Sequence, residues 1–259
     1  MSDNTTPSIS ASNLAIGYKS NVVANNINFS CDSGELCAIV GVNGVGKSTL
    51  LRTLGNLQPR LSGNVSLSNK GLSTYSSQAL AQKLSVVLTE QPSSKNLTVE
   101  ELIALGRQPY TNWIGTLTSK DKIHIEESLG AFLLNDLRHR KCHELSDGQL
   151  QRVLIARAMA QDTSLILLDE PTTHLDLYHK VQILKLLRRL AHNKGKTIIF
   201  TTHEIDLAIQ LCDKILILDG QLNPFGEPCQ LIENEHFEKH FPDEMVVFDP
   251  NTGAFKVSK

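Results

Sequence analysis

Apolar and polar positions alternate along the first third of the chain and gather into solid apolar runs along the last third. Alternating or short apolar stretches at Ile9–Tyr18, Asn26–Cys31, Glu35–Val40 and Asn64–Ser68 predict strands, with Gly34 and Gly63 turning the chain between them. A helix is expected to start near Lys47. The middle changes character: Val99–Arg107, Lys120–Leu134 and Gln149–Ala160 read as helices with little strand signal between them. Residues of roughly 90–157 are therefore expected to form a helical insertion. Beyond it, the apolar runs Leu165–Asp169, Thr197–Thr201 and Lys214–Leu218 alternate with helical stretches at 177–192 and 204–211. Strands without a polar face, separated by helices, imply a parallel sheet buried on both sides, an α/β core. Residues 1–8 read as a polar tail and 226–259 as a short C-terminal appendage rather than a second domain.

Composition narrows the class. The 259 residues are 41% hydrophobic and 20% charged, enough apolar material for a stable core. A formal charge of −2 supplies no broad positive field for a phosphate backbone, which argues against a nucleic-acid partner. Five cysteines without a C-x-x-C pair fit reduced structural thiols. The opening MSDNTTPSIS lacks the basic-then-apolar order of a secretion signal. No apolar run approaches the roughly 18–20 residues that span a bilayer, so any work at a membrane requires docking on a spanning partner.

Three motifs carry chemistry. Gly41-Val-Asn43-Gly44-Val45-Gly46-Lys47-Ser48-Thr49 fits G-x-x-x-x-G-K-[ST] in full and lies between an apolar strand and a helix. Glycines at 41, 44 and 46 let the backbone turn its N–H groups inward on phosphate oxygens. The following helix adds its N-terminal dipole. Lys47 is expected on the β- and γ-phosphates and Ser48 on Mg²⁺. Such a loop occurs in many families and by itself says only that a nucleoside triphosphate binds. The second motif is Asp169-Glu170 at the end of an apolar strand, where ligands of α/β sheets sit. One acid, Asp169, can reach a metal while the other, Glu170, faces an attacking water. The plainer alternative is that Asp169 caps the next helix. The third is Leu145-Ser146-Asp147-Gly148-Gln149 before a helix, which alone reads as ordinary capping.

Taken together these stretches resemble the ATP-binding cassette (ABC) proteins. Leu145–Gln149 resembles their L-S-G-G-Q signature, with Asp147 in place of the first signature glycine. Tyr18 matches the aromatic that stacks on adenine, His174-Leu175-Asp176 the D-loop, and Thr201-Thr202-His203 the switch histidine. The resemblance runs from about residue 9 to 225. It implies a P-loop NTPase fold with an antiparallel β subdomain, an α/β core at 9–89 and 158–225, and an inserted helical subdomain at about 90–157. It further implies ATP and Mg²⁺ as cofactors, with Ser48, Asp169 and Glu90 toward the metal. Lys47, Glu170, His203 and Asp176 are the expected catalytic set. Nucleotide contacts are expected from Tyr18, Gly41 to Thr49, Glu90, Gln91 and, across a head-to-tail homodimer, Ser146, Asp147, Gly148 and Gln149. The family's glutamine after the strand entering the insertion corresponds to Glu90, with Gln91 one residue late. A carboxylate at Glu90 still suits Mg²⁺ or water, whereas Asp147 weakens capture of a γ-phosphate unless its side chain points away.

Within the family, Pro171-Thr-Thr-His-Leu-Asp176 and Leu97–Tyr110 look most like importers of iron(III)-siderophore complexes, haem or cobalamin. This implies a peripheral subunit at the cytoplasmic face of the inner membrane. Its expected partners are a second copy, a polytopic permease met by the stretch ending at Tyr110, and, indirectly, an extracytoplasmic substrate-binding protein. Ferric siderophore uptake is the first reading and haem or cobalamin uptake the alternative. A soluble cassette ATPase acting on nucleic acid or ribosomes is the reading from another class, disfavoured by the near-neutral charge. A non-catalytic ATP clamp is disfavoured by the intact Lys47, Asp169, Glu170 and His203.

Overall fold

The computed structural model describes residues 7–89, 96–173, 175–240, 246–250 and 252–257. Its chain begins with the antiparallel pair β1 (Ile9–Tyr18) and β2 (Asn21–Cys31). β1 has the bounds its alternation predicts. β2 starts five residues before the expected Asn26, because Tyr18 pairs with Asn21 and a tight hairpin, with Lys19 at φ 54°, lets the ladder begin at once. β3 (Leu36–Val40) follows and runs into α1 (Lys47–Leu54). Then come β4 (Ser62–Leu67), β5 (Lys70–Gly71), α2 (Ser77–Ala81) and β6 (Leu84–Val87). The first sheet has the order β2-β1-β4-β5 and is antiparallel throughout.

Next are α3 (Val99–Ala104), α4 (Ser119–Ala131) and α5 (Asp147–Ala160), which all lie between β6 and the next strand. Each has a capping box at its start, from Thr98 with Glu101, Thr118 with Asp121 and Ser146 with Gln149. The helix expected over Val99–Arg107 ends at Ala104 and tightens into a 3₁₀ turn, Leu105–Tyr110. Gly106 explains the change, since a Cβ there would lie 2.2 Å from the Arg157 carbonyl oxygen of α5. The chain continues through β7 (Leu165–Leu168), α6 (Leu177–Lys194), β8 (Thr197–Thr201), α7 (Ile205–Leu211), β9 (Lys214–Ile217) and β10 (Phe225–Gly226). The final elements are α8 (Pro228–Glu233), α9 (His236–His240) and the hairpin of β11 (Val246–Asp249) with β12 (Ala254–Val257). The 225/226 boundary drawn from the sequence falls inside β10, an edge strand of the main sheet.

That main sheet has the order β10-β9-β3-β8-β7-β6, parallel except for β10. β3, β7 and β8 are buried at every position. Alternate residues serve two cores. Ala38, Val40, Ile166, Leu168, Ile198 and Phe200 pack toward the helices, including Leu102, Val153 and Leu187. Cys37, Ile39, Leu165, Leu167 and Ile199 pack toward α1 and the antiparallel sheet. Period-two burial on both sides leaves the strand ends as the place for polar groups. The C-terminal ends of β3, β7 and β8 lie side by side, with Ile39 opposite Thr201 and Leu168 opposite Phe200. Three loops of distant sequence therefore converge at one edge.

The helical part holds one buried ion pair. Arg107 Nε donates to Asp121 Oδ1 at 2.8 Å, and Arg107 Nη1 donates to the Ala160 carbonyl at 2.7 Å. Burial alone raises the Asp121 pKa, but hydrogen bonds from Thr118 and Arg107 outweigh it and hold the carboxyl at about 2. Arg107 stacks 4.0 Å from the centre of the Tyr110 ring and is itself buried, so within the stretch expected at a permease this side chain serves the interior. Removing one partner of such a pair strands the other charge, so Asp121→Asn is expected to lower unfolding free energy by about 3–5 kcal/mol near neutral pH. The Asp121 pKa is depressed relative to the roughly 3.9 of an unfolded chain. Its stabilisation is present above that value and is lost as pH falls toward 2. Urea unfolding of both proteins should show the gap closing between about pH 4 and pH 2.

Candidate functional site

The loop after β3 is shaped by close contacts. A Cβ at Gly41 would lie 2.4 Å from the Leu218 carbonyl oxygen, and one at Gly46, whose φ is +109°, would lie 2.5 Å from Val23 Cγ1. Only glycine allows both turns. Gly46 caps α1 without any side-chain bond, and the first turn of α1 contains no acid. Its N–H groups and dipole are thus left for an anion. Asn43 and Gly44 are exposed and Val45 is half-buried along this rim.

Lys47 points back into the loop and is 6% exposed. Its Nζ donates to the Gly41 carbonyl at 2.9 Å and the Val42 carbonyl at 3.2 Å, and lies 3.5 Å from His203 Nδ1. Burial lowers its pKa below the ordinary lysine value, offset in part by the charges of Glu170 and Asp169. Among the described residues no carboxylate forms an ion pair with it. Two carbonyls and an imidazole are weak counterparts for a buried ammonium. Thr49, buried on the same turn, lies 3.1 Å from the Tyr18 hydroxyl, which anchors a ring that is 54% exposed beside the loop.

β7 and β8 supply the acids. Asp169 is 1% exposed; its Oδ1 accepts from Thr201 Oγ1 at 2.7 Å and from Ser48 Oγ at 3.1 Å. Its Oδ2 is buried and has no hydrogen-bond partner. A buried carboxylate oxygen without a donor, next to a serine hydroxyl, is what a hard divalent cation with oxygen ligands fits. Asp169 does not cap the following helix; Asp176 does that for α6. Glu170 adopts φ 49°, a left-handed conformation costing roughly 1–2 kcal/mol outside glycine. Its N–H donates to Thr201 Oγ1 at 2.9 Å. The carboxylate accepts from Thr173 Oγ1 at 2.9 Å and from His203 Nε2 at 2.7 Å. With Nε2 donating, His203 Nδ1 is the acceptor that faces Lys47. A continuous polar path thus runs Lys47–His203–Glu170–Thr201–Asp169–Ser48.

A second group lies at the start of α5. Ser146 Oγ accepts from the Gln149 N–H at 3.3 Å while Gln149 Oε1 accepts from the Ser146 N–H at 3.1 Å, so these two side chains satisfy each other. A Cβ at Gly148 would lie 2.7 Å from Leu175 Cδ2, so the glycine lets the Leu175 side chain pack against the start of α5. Asp147 is exposed and lines a groove together with Thr89, Gln151 and Glu170. Asp176 accepts from the His179 N–H at 2.9 Å and pairs with its Nδ1 at 2.8 Å, beside Ser146–Gln149. No hydrogen bond among the described residues joins the Ser146 and Asp176 group to the Lys47 path. Glu90, Gln91 and His174 lie outside the described residues. Sequence reading missed Thr201 and Thr173 as parts of the site. Only the strand register, which sets Thr201 one step beyond the Leu168–Phe200 pair, singles out Thr201.

Thr201 bridges the Asp169 carboxylate and the Glu170 backbone. Its replacement by isosteric valine should leave the Glu170 N–H without its acceptor and Asp169 Oδ1 with Ser48 as its one remaining donor among the described residues. Thr201→Val is expected to cost about 1–3 kcal/mol in urea unfolding, with Thr201→Ser recovering most of it. An equal loss for both variants would assign the effect to packing.

Comparison with known proteins agrees with this geometry. The family model described as ABC transporter matches residues 24–173. An ABC transporter ATP-binding protein of Methanocaldococcus jannaschii, MJ0873, is 40% identical over 224 residues, 86% of this chain and 77% of that one. The achromobactin transport ATP-binding protein CbrD of Dickeya dadantii is 34% identical over 93% of this chain and 91% of its own. Among solved structures, a putative metal-chelate type ABC transporter in an inward-facing conformation superposes with a TM-score of 0.79 at 31% identity, covering 91% of this chain and 89% of that one. The dimeric ATP-binding cassette MJ0796, in a post-hydrolysis state bound to ADP and Pi, superposes with a TM-score of 0.74 at 28% identity over 85% of this chain and 98% of its own.

Proposed function

We propose, on the premise that the chain belongs to the ABC transporter family, that it is the subunit whose ATP hydrolysis powers uptake of iron(III)-siderophore complexes. The chain is an ATPase of ABC import type and binds ATP. The observation that carries the reading is the polar path from Lys47 through His203 to Glu170, ending at the open Oδ2 of Asp169. The cargo is supported by relatives named for achromobactin transport and for iron(3+)-hydroxamate import.

Lys47 exchanges two backbone carbonyls for the β- and γ-phosphate oxygens of ATP, a stronger charge-assisted pairing. The N–H groups of Gly44, Gly46 and Lys47 and the first turn of α1, with Ser48 and Thr49, receive the remaining phosphate oxygens. Ser48 and Asp169 are the residues that hold Mg²⁺, whose charge would offset that of the β- and γ-phosphates. Tyr18 offers its exposed ring to adenine. Glu170 accepts the proton of the attacking water, and Thr173 and His203 fix the direction of its carboxylate. His203 also faces Lys47, so it senses what occupies the phosphate site. Ser146, Asp147, Gly148 and Gln149 meet the nucleotide held by a second copy of the chain. Asp176 acts there through the loop that it anchors.

No described helix is long and apolar enough to cross a membrane. By analogy with the import ATP-binding relatives, the subunit is proposed to work peripherally on a polytopic permease at the cytoplasmic face of the inner membrane, with a binding protein on the far side delivering cargo.

Glu170→Gln is expected to keep ATP binding and to lose phosphate release by about 10²–10⁴-fold. In cells lacking the gene, uptake of radio-iron loaded on a siderophore should return with the wild-type chain and not with Glu170→Gln. Restored uptake of haem or cobalamin, with siderophore uptake untouched by the deletion, would overturn the cargo.

A further inference from the structure

Adjoining the Ser146 turn, with which it shares Gly148, a concave cavity of about 250 Å³ lies between the C-terminal end of α4, the start of α5 and the exposed side of α6. Its floor and rim are apolar, from Phe132, Leu133, Ile183 and Leu186. Arg152, Lys185 and Arg189 also line it, and no aspartate or glutamate does. Among the described residues none of the three cations is paired with a carboxylate. Arg152 gives one N–H to the Phe132 carbonyl at 3.3 Å, and the other two are exposed. Asp176, just before α6, is taken up by the ring of His179, which lines the cavity. α6 as a whole carries Lys180, Lys185, Arg188, Arg189 and Lys194 and no acid.

Leu133 is the second, independent sign. It sits just past the end of α4 at φ 52°, where glycine or asparagine is the low-strain choice. Nevertheless a leucine stands there, 79% exposed, at the cavity rim. Residues held in such a strained backbone conformation cluster where a ligand is held.

We propose that this cavity is an accessory binding site for a small organic anion with an apolar body. The apolar walls argue against an inorganic ion. Three unpaired cations argue against a neutral ligand, because charge-assisted bonds from Arg and Lys to a carboxylate or sulfonate are the interactions they lack. The volume is just below the roughly 300–1,000 Å³ of pockets for drug-sized ligands, which selects a small one. Gly148 and Leu175 form its inner wall, so the ligand sits directly behind the Ser146 turn.

The test uses the full chain and two fluorescent probes that differ in charge, 1-anilinonaphthalene-8-sulfonate and the uncharged N-phenyl-1-naphthylamine. With saturating ATP present to fill the nucleotide site, the sulfonate should bind at close to one per chain. Lys185→Gln with Arg189→Gln should weaken it about 10-fold or more, the scale of one lost charge-assisted contact, and change the uncharged probe less than about 2-fold. Leu133→Gly should weaken both probes while leaving the melting temperature unchanged or raised, which separates lost binding from lost folding. Sulfonate binding that is unchanged in the double variant, or abolished by ATP alone, overturns the site. Equal weakening of both probes also overturns it, since charge would then play no part.

Discussion

A lysine ammonium held out of water without a carboxylate governs this molecule. Lys47 is almost fully enclosed and donates to two backbone carbonyls and faces one imidazole. Enclosing a cation in that company is costly, and its depressed pKa registers the cost. The glycines at 41 and 46 exist to let the backbone fold around it, and β3 and α1 are packed rigidly enough to keep it there. The parallel sheet then aligns the ends of β7 and β8 with that loop, so the two acids, Thr201 and His203 face the same spot. Asp169 shows the opposite deficit, a buried carboxylate oxygen with no donor. A cation and an anion are each left short of partners a few residues apart in the fold. A triphosphate with its metal has the charges that both lack.

The second group, at Ser146 and Asp176, follows a different logic. Ser146, Gln149 and Asp176 are satisfied by capping and by His179, so beside the charge of the exposed Asp147 it presents backbone N–H groups and a helix dipole. Among the described residues no hydrogen bond links it to the Lys47 path, although Asp147 and Glu170 line one groove. In the proposed function a second copy completes a site divided in this way; the similar solved cassette MJ0796 is dimeric. Asp147 places a negative charge on that surface, in the same groove as Glu170.

Much of the fold was legible in residue order because local signals agreed with it. β1 and β8 have the bounds their patterns predict, and the glycine-rich loop is recognisable without context. Other features needed the third dimension. β2 reaches back to Asn21 because of a hairpin turn at Lys19, a residue with no turn preference. The helix after Thr98 stops where Gly106 meets the Arg157 carbonyl, a contact set by packing. Phe225–Gly226 is too short for any periodicity, yet it completes the sheet edge. Of the residues on the polar path, Lys47, Ser48, Asp169 and Glu170 were foreseeable from motif chemistry and His203 from the family resemblance. Thr201 was not, because a threonine ending an apolar strand becomes a bridge between two acids only once the register of β7 and β8 is known. Arg107, read as part of a permease-facing stretch, is an interior residue bound to Asp121.

The charge deficit at Lys47 can be tested alone. Urea unfolding of Lys47→Met against the wild-type chain, with and without Mg-ATP, separates the cost of the buried ammonium from its use. Without nucleotide the variant should be as stable as the wild type or more so. At about 100 times the dissociation constant the wild type should gain about 2.7 kcal/mol and the variant nothing. A variant that is clearly less stable without nucleotide, or that gains as much from Mg-ATP as the wild type, contradicts the account.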